Sequence, residues 1–251
     1  RSLRIKMLFS FILRKFISYT RFVFKKFGIS MFFSADGEDS ILDKWVSGID
    51  NGFYLDLGSN FPIYASNTYG LYLKGWCGIC IDPNPGLKFK YSILRFKDIF
   101  INSAIVTNNK KKNQSFYFYK NNNELNTFSK KRVNIQKKLY NRTPSKILKV
   151  NKIKIDDLID LINKREVHFL NIDIEGLESD IIKSLIKKKI LPWCIAIEEL
   201  GITCENLKSS KIKKFLNKNG YFLGSKTFLT SIYIRKNIIK KLPSKYVKEI
   251  I

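Results

Sequence analysis

The feature that most constrains the fold is a regular alternation of short β-rich runs with helix-like segments after residue 52. Five apolar runs predict strands, and in chain order these are residues 52–57, 77–81, 99–106, 167–172 and 193–197. Two further runs, residues 221–228 and 231–235, predict a closing hairpin. Such an alternation is typical of an α/β domain whose doubly wound, mostly parallel sheet is covered by helices on both faces.

Two segments stand apart from this alternation. Residues 1–33 precede it as a basic, helical N-terminal extension. Residues 108–152 interrupt it as a polar insertion rich in Lys and Asn, which predicts a hairpin and a helix on the substrate side. The chain of 251 residues is long enough for one complete α/β domain, so residues 34–251, including the insertion, are expected to form it.

The N-terminal extension predicts an amphipathic helix. Its apolar residues recur at steps of three and four, and they are Ile5, Phe9, Ile12, Phe16, Tyr19, Val23 and Phe27. Basic residues interrupt every stretch that approaches the ~20 apolar residues of a membrane span. Two interpretations stay open: the helix binds a membrane surface or a partner, or it packs on the core or in a homodimer. No secretory signal is recognised, so a cytoplasmic location, including the inner face of the membrane, is expected.

The charge balance is strongly basic, with 46 Lys and Arg against 21 Asp and Glu and a net charge of +25. Such a charge is typical of proteins that bind nucleic acids, anionic membranes or phosphate groups. The chain is also rich in Ile, Asn and Phe, as AT-rich coding would produce, and no basic motif with interleaved aromatic residues supports a specific nucleic-acid partner. The chain has one histidine, its C-x-x-C pair, Cys77 and Cys80, lies in a predicted buried strand, and Cys194 and Cys204 lack paired spacing. No histidine or cysteine metal site is therefore expected.

Acidic and small residues follow three of the predicted strands, where the loops of a parallel sheet form the ligand crevice. Asp56 ends the first strand and can attract a cationic group, while Gly58 lets main chain approach a ligand closely. Asp82 follows the second strand, in a position to accept hydrogen bonds from a ribose. Asn102 and Ser103, in the third run, form a polar pair that could bond the edge of an adenine. A G-x-G-x-x-G fingerprint is missing, so a bound pyrophosphate is not expected.

The densest acidic cluster follows the fourth strand, where Asp173, Glu175 and Glu178 fall within six residues. Such crowding costs free energy unless a metal, a proton, a cationic cofactor or substrate hydroxyls compensate. A helix N-terminus accounts for Glu178 but poorly for Asp173, so Asp173 and Glu175 are the candidate catalytic residues. Glu198, after the fifth strand, and Glu38, at an early helix start, are candidate substrate contacts.

Taken in order, these pieces resemble the FkbM family of methyltransferases. The resemblance rests on SADGEDSIL (34–42), GFYLDLGSNFP (52–62), SNTYGLY (66–72), GWCGICIDPNP (75–85) and FLNIDIEGLE (169–178). Ala35 departs from the family, which often has glutamine there, and the insertion lies where family members vary. The identity of the methyl acceptor therefore cannot be inferred from the family.

The resemblance implies a Rossmann-like methyltransferase fold with S-adenosylmethionine as methyl donor and a hydroxyl as the usual acceptor. By the family pattern, Asp56, Gly58 and Asn60 lie by the methionine part of the cofactor, Asp82 by the ribose and Asn102 near the adenine. Family members often act on sugars. We therefore expect an O-methyltransferase for a sugar, nucleotide-sugar or glycan precursor in surface polysaccharide biosynthesis.

Several alternatives stay open at this point. Asp173 is the first candidate for a general base and Glu175 the second, and a divalent cation held by the carboxylates is a less favoured way to activate the hydroxyl. A nucleic-acid methyltransferase or binding protein would use the basic surface instead. A non-catalytic binding module on the same fold would not bind S-adenosylmethionine at all.

Overall fold

The computed structural model describes residues 2–107, 115–120, 125–174, 176–243 and 247, without the side chains of residues 2–7, 9 and 10. The strands are β1 (Phe53–Leu57), β2 (Cys77–Ile81), β3 (Ile99–Ile101), β4 (Ala104–Val106), β5 (Phe116–Phe118), β6 (Lys146–Leu148), β7 (Lys152–Lys154), β8 (Phe169–Ile172), β9 (Cys194–Glu198), β10 (Tyr221–Lys226) and β11 (Thr230–Arg235). The α-helices are α1 (Ser2–Lys26), α2 (Glu38–Val46), α3 (Tyr69–Leu73), α4 (Leu87–Leu94), α5 (Lys130–Tyr140), α6 (Ile155–Ile162), α7 (Glu178–Lys187) and α8 (Lys211–Lys218).

The main sheet has seven strands in the order β10-β11-β9-β8-β1-β2-β3. The strand β1 pairs in parallel with β2 and β8, and β8 pairs in parallel with β9. The closing hairpin places β11 antiparallel between β9 and β10. The chain runs outward from β1 in one direction and from β8 in the other, which makes the gap between these two strands the topological switch point. The predicted α/β class with a doubly wound, mostly parallel sheet is therefore confirmed.

The central strand β1 is buried along its whole length. Its alternate side chains enter different layers, because successive residues of a strand face opposite sides of the sheet. Leu55 and Leu57 pack with apolar residues of α6 and α7, whereas Tyr54 packs with those of α2 and α4. Burial on both faces explains why every residue of this strand except Asp56 is apolar or aromatic.

The prediction of a single strand over residues 99–106 is wrong. The strand β3 ends at Ile101, and β4 pairs instead with β7 in a separate two-stranded sheet. The carbonyl of Asp82 accepts two hydrogen bonds at this break, from the Ser103 amide at 3.1 Å and from the side-chain amide of Asn102 at 2.9 Å. These bonds tie the chain to the end of β2 and turn it out of the main sheet.

A second small sheet lies in the insertion, where β5 and β6 pair antiparallel on either side of α5 in the sequence. The helix α5 begins after Ser129, whose hydroxyl caps it by accepting the Arg132 amide at 3.3 Å. Within the described part of the chain, no helix combines the length and the apolarity that a membrane crossing needs.

A buried ion pair joins the helical layer to the strands. The side chains of Arg95 and Asp98 are both 0% exposed, and Arg95 Nε lies 2.6 Å from Asp98 Oδ2. The same guanidinium donates to the Tyr54 hydroxyl at 2.6 Å and to the Thr68 hydroxyl at 2.9 Å. Thr68 donates in turn to the carboxylate of Asp56 at 2.5 Å. One buried charge therefore orders side chains from α4 to the end of β1.

We expect Arg95→Met to destabilise the chain by ~3–5 kcal/mol, because it leaves the Asp98 carboxylate buried without its cation. Arg142→Met is the matched control, since Arg142 is exposed and a surface change of this kind costs about 0.5 kcal/mol or less. The measurement is urea unfolding of both variants and the parent. Equal stabilities for the two variants would show that the buried pair is not a main determinant of stability.

Candidate active site

A cavity of about 400 Å³ lies at the carboxyl ends of β1, β2, β8 and β9. This position is the switch point of the sheet, and the volume lies within the range of small-molecule sites. Most of the residues predicted from the sequence line it, namely Glu38, Asp56, Gly58, Asn60, Asp82, Asp173 and Glu198. Asn102 is not among the lining residues. Glu175, the second candidate base, lies outside the described residues.

Gly58 holds the loop after β1 against the loop after β8. Its φ of +82° lies in the left-handed region, and a Cβ at this position would be 1.8 Å from the carbonyl oxygen of Asp173. In the same loops, the Asp173 amide donates to the Leu57 carbonyl at 2.9 Å. Glycine is therefore required here twice, for its backbone conformation and for the close approach of another main chain.

Asp56 forms the floor of the cavity and is 1% exposed. Its carboxylate accepts hydrogen bonds from the hydroxyl of Thr68 and from the side-chain amide of Asn171, which lies 2.9 Å away on β8. Asn171 itself accepts a bond from the side chain of Asn67 at 2.9 Å. Burial raises the pKa of Asp56, and the charge of Arg95 opposes this shift. Asp56 thus places an anchored carboxylate beneath the cavity.

Asp82 stands at the end of β2 with both carboxylate oxygens oriented by main-chain amides. The amide of Asn60 donates to one oxygen at 3.0 Å, and the amide of Asn84 donates to the other at 2.8 Å. Asn60 has a φ of +46°, which asparagine tolerates better than most residues. Burial raises the pKa of Asp82 to about 6, although the two amide bonds act in the opposite direction. Asn60 therefore contributes through its main chain, by orienting Asp82.

An acid pair faces the cavity from β8 and β9. The carboxyl groups of Asp173 and Glu198 are hydrogen-bonded to each other. Burial, the charge of Glu198 and then that of Glu178 raise the pKa of Asp173 well above its usual range, and Arg132 opposes them. Burial also raises the pKa of Glu198. Other protein atoms lie close to the Asp173 carboxyl group, but its side chain is accessible from the cavity. Two carboxyl groups that are hydrogen-bonded to each other share one proton, so the pair titrates as a unit.

The other two acids have structural partners. Glu178, the first residue of α7, accepts hydrogen bonds from the amides of Ile174 at 3.1 Å and Gly176 at 2.9 Å, as expected at a helix N-terminus. Glu38 accepts from the Asp36 amide and from the Thr227 hydroxyl, each at 3.0 Å. Glu38 thereby ties the rim of the cavity to the loop between β10 and β11.

The insertion completes the cavity wall. Its contributions include two aromatic rings and one cation, from Phe116, Phe128 and Arg132. The two rings pack on each other with centroids 5.0 Å apart. Arg132, on α5, is the residue whose charge lowers the pKa of both Asp173 and Glu198. The local sequence gave no motif for these residues, because only tertiary packing brings α5 over the strand ends.

The family model described as the methyltransferase FkbM domain matches residues 56–223. This range covers about two thirds of the chain, from the acid that ends β1 to the middle of β10. The chain belongs to the FkbM methyltransferase family. No curated protein and no solved structure was found to match it.

Enzymes of the FkbM family generally use S-adenosylmethionine, and the cavity fits this cofactor on structural grounds. The carboxylates of Asp36, Glu38, Asp56, Asp82, Asp173 and Glu198 line it, whereas Arg132 is the only basic residue among the described lining residues. Such a lining favours a cationic ligand such as a sulfonium. Gly58 would keep the loop after β1 close against the loop after β8 beneath such a ligand, and Asp82 would accept the ribose hydroxyls. Among the described residues, no group of three or more His, Cys, Asp or Glu is placed to hold a metal ion.

The residues that directly follow Asn102 in the sequence reach the cavity, whereas Asn102 does not. The Asn102 side chain is bonded to the Asp82 carbonyl, whereas Ser103 and Ala104 line the cavity. Sequence reasoning included Ser103 in its polar pair but missed Ala104 and the turn, because it treated residues 99–106 as one continuous strand. The polar Asn102–Ser103 pair in the middle of an apolar run was the available signal for the turn.

We expect Gly58→Ala to lower the unfolding temperature and to weaken binding of S-adenosylhomocysteine at least about tenfold, because Asp173 must move to make room for the methyl group. Gly201→Ala is the matched control. Gly201 also has a positive φ, of +75°, but a Cβ there would meet nothing within 4 Å, so this variant carries only the ~1 kcal/mol cost of the backbone conformation. Thermal unfolding and calorimetric titration measure both effects. Equal losses in the two variants would contradict the close-contact argument.

We expect the affinity for S-adenosylhomocysteine to rise as the pH rises through about 6, the pKa of Asp82, because only the ionised carboxylate can accept from both ribose hydroxyls. Below that pH the carboxyl is protonated and binding must first release the proton. Calorimetric titration across this interval measures the effect. Asp82→Asn should bind weakly and lose this pH dependence, and a variant that keeps it would assign the transition to another group.

Proposed function

We propose that the chain is an S-adenosylmethionine-dependent O-methyltransferase for a hydroxyl of a sugar or glycan precursor, with a nucleotide-sugar as the first acceptor to test. The observation that carries the proposal is the acid pair Asp173–Glu198, which faces the cavity beside the loop that follows β1. A sugar hydroxyl is a weak nucleophile while protonated, so a carboxylate base at this position has a defined task.

S-adenosylmethionine, when bound, would supply an already activated methyl group. The chain then has to hold the donor, align the acceptor oxygen in line with the methyl and exclude water. Gly58 and Asp82 serve the first task, through close main-chain approach and through ribose contacts. The insertion excludes water, because Phe116 and Phe128 line the cavity with apolar surface.

The acid pair takes up the proton that the acceptor hydroxyl loses. As the acceptor oxygen takes the methyl group that the cofactor would supply, its hydroxyl proton passes to the pair, and Asp173 receives it first. The pair carries one proton and one negative charge before the reaction, and two protons after it. Since like charge and burial raise its pKa, the pair is a stronger base than an isolated carboxylate.

The polar lining supports a polyhydroxylated acceptor. Asn67, Asn126 and Thr230 line the same cavity as the acids and can donate to or accept from hydroxyl groups. Arg132 adds one cation, which suits a phosphate next to the sugar. These side chains, together with the apolar rings, match the usual composition of a small-molecule site.

We expect Asp173→Asn to keep its affinity for S-adenosylhomocysteine and to lower kcat by ~10²–10⁴, the usual contribution of a general base. Turnover is measured as release of S-adenosylhomocysteine with a panel of nucleotide-sugars. Asp180→Asn is the matched control, because Asp180 is an exposed acid on α7 outside the cavity, and it should leave kcat unchanged.

Glu198→Gln distinguishes a base from a merely structural acid. Removing the neighbouring charge lowers the pKa of Asp173, so the acidic limb of the kcat/KM profile should move to lower pH. Full turnover of Asp173→Asn, or an unmoved limb in Glu198→Gln, would exclude the pair as the base. Failure of the parent chain to bind S-adenosylhomocysteine would refute the enzymatic proposal as a whole.

A further inference from the structure

The helix α1 is oriented with Arg14 and Arg21 toward the protein. Arg14 donates to the Leu73 carbonyl at 3.5 Å, and its guanidinium carbon lies 5.1 Å from the centre of the Tyr72 ring. Arg21 lies at the same distance from the ring of Phe33. These residues occupy one face of the helix, since they are seven positions, or two turns, apart. The side of α1 that meets the domain therefore carries two arginines, next to Ile17, which packs against Tyr69, Tyr72 and Leu73.

The opposite side of α1 is apolar and exposed. It consists of Phe11, Ile12, Phe16, Tyr19 and Phe22, which we call the outer face, and their exposed fractions range from 52% to 67%. A helix that served to cover the core would present these residues inward and its charges outward. Three members of the apolar stripe expected from the sequence, Ile12, Phe16 and Tyr19, are thus turned away from the domain. A contiguous exposed patch of large side chains marks an interaction surface.

The outer face continues toward the active-site cavity. Phe27, Ile29 and Phe32 follow the helix and are each at least 50% exposed. The chain then reaches Ala35, which lines the cavity. The segment is fixed there, because the Ser66 amide donates to the Phe33 carbonyl at 2.9 Å. Apolar exposed surface therefore leads to the cavity rim.

The outer face could bind either an anionic bilayer or a second copy of the chain, and the charge of α1 favours the bilayer. The helix contains seven basic residues and no acidic residue. Lys15 and Lys26 are exposed with their amino groups 5.8 and 4.9 Å from the rings of Phe11 and Phe22, so cations accompany the apolar side chains of the outer face. Two such helices would repel each other, whereas an anionic headgroup layer accepts the lysines as the rings enter the interface.

We propose that the outer face of α1, with residues 27–32, binds the surface of an anionic lipid bilayer and brings the cavity rim to that surface. The helix lies in the plane of the interface, with Arg14 and Arg21 still held by the domain. This inference does not depend on the reaction proposed above, but it would give the cavity access to an acceptor presented at a membrane.

The test is co-sedimentation of the full chain with vesicles of phosphatidylglycerol and phosphatidylcholine in equal parts, compared with phosphatidylcholine alone. We expect binding to the anionic vesicles, weakened by salt, and a loss of at least about tenfold in partition for the triple variant Phe11→Ser, Phe16→Ser, Phe22→Ser. Leu139→Ser is the control, because Leu139 is 64% exposed on α5, far from α1 in the sequence. It should bind like the parent.

Folding is checked separately, since the triple variant should keep the unfolding temperature and the S-adenosylhomocysteine affinity of the parent. Equal binding to both kinds of vesicle, or an equal loss in Leu139→Ser, would overturn the proposal. So would a parent chain that ignores anionic vesicles and forms a dimer that the triple variant dissociates. That result would assign the outer face to a second copy.

Discussion

The buried guanidinium of Arg95 is the interaction on which the organisation of the site depends. Removing a cation from water is so costly that it is tolerated only where its donors are satisfied and a counter-charge is present. Here Asp98, Tyr54 and Thr68 receive those donors, and three tyrosine rings lie 5.3 to 5.4 Å from the guanidinium carbon. Since Thr68 passes a hydrogen bond on to Asp56, the floor of the cavity is positioned by a charge that never meets the ligand.

Sequence reasoning correctly placed residues at the cavity where they lie at or directly after the end of a strand. Asp56, Gly58 and Asp82 could be located because the carboxyl ends of parallel strands meet at one edge of the sheet, whatever the details of packing. Arg95 could not, because a basic residue at the end of a predicted helix reads as a solvated surface charge. Its burial depends in part on two tyrosines that are distant in the sequence, Tyr54 and Tyr72.

The acid pair illustrates the same limit within the site. The sequence places Asp173 beside Glu175 and Glu178, and spacing alone made Glu175 the natural second candidate. Among the residues that the structure describes, Asp173 pairs with Glu198, since β8 and β9 are neighbours in the sheet, while Glu178 is used at the start of α7. Neighbouring strands thus determined the pair, and proximity in the chain did not. Arg132 follows the same rule, because it reaches the pair from an insertion without a recognisable motif.

The strong positive charge of the chain describes its surface and says little about its cavity. Acidic residues are less than half as numerous as basic ones, yet the cavity lining combines six acids with one arginine in the described part of the chain. A polyanion attracted to the basic surface would meet like charge at the strand ends, where a cationic cofactor is favoured. The two signs therefore suit different partners: the cavity suits a sulfonium ligand, and the basic, aromatic helix α1 suits an anionic surface. This separation is why the net charge alone does not identify the partner of the chain.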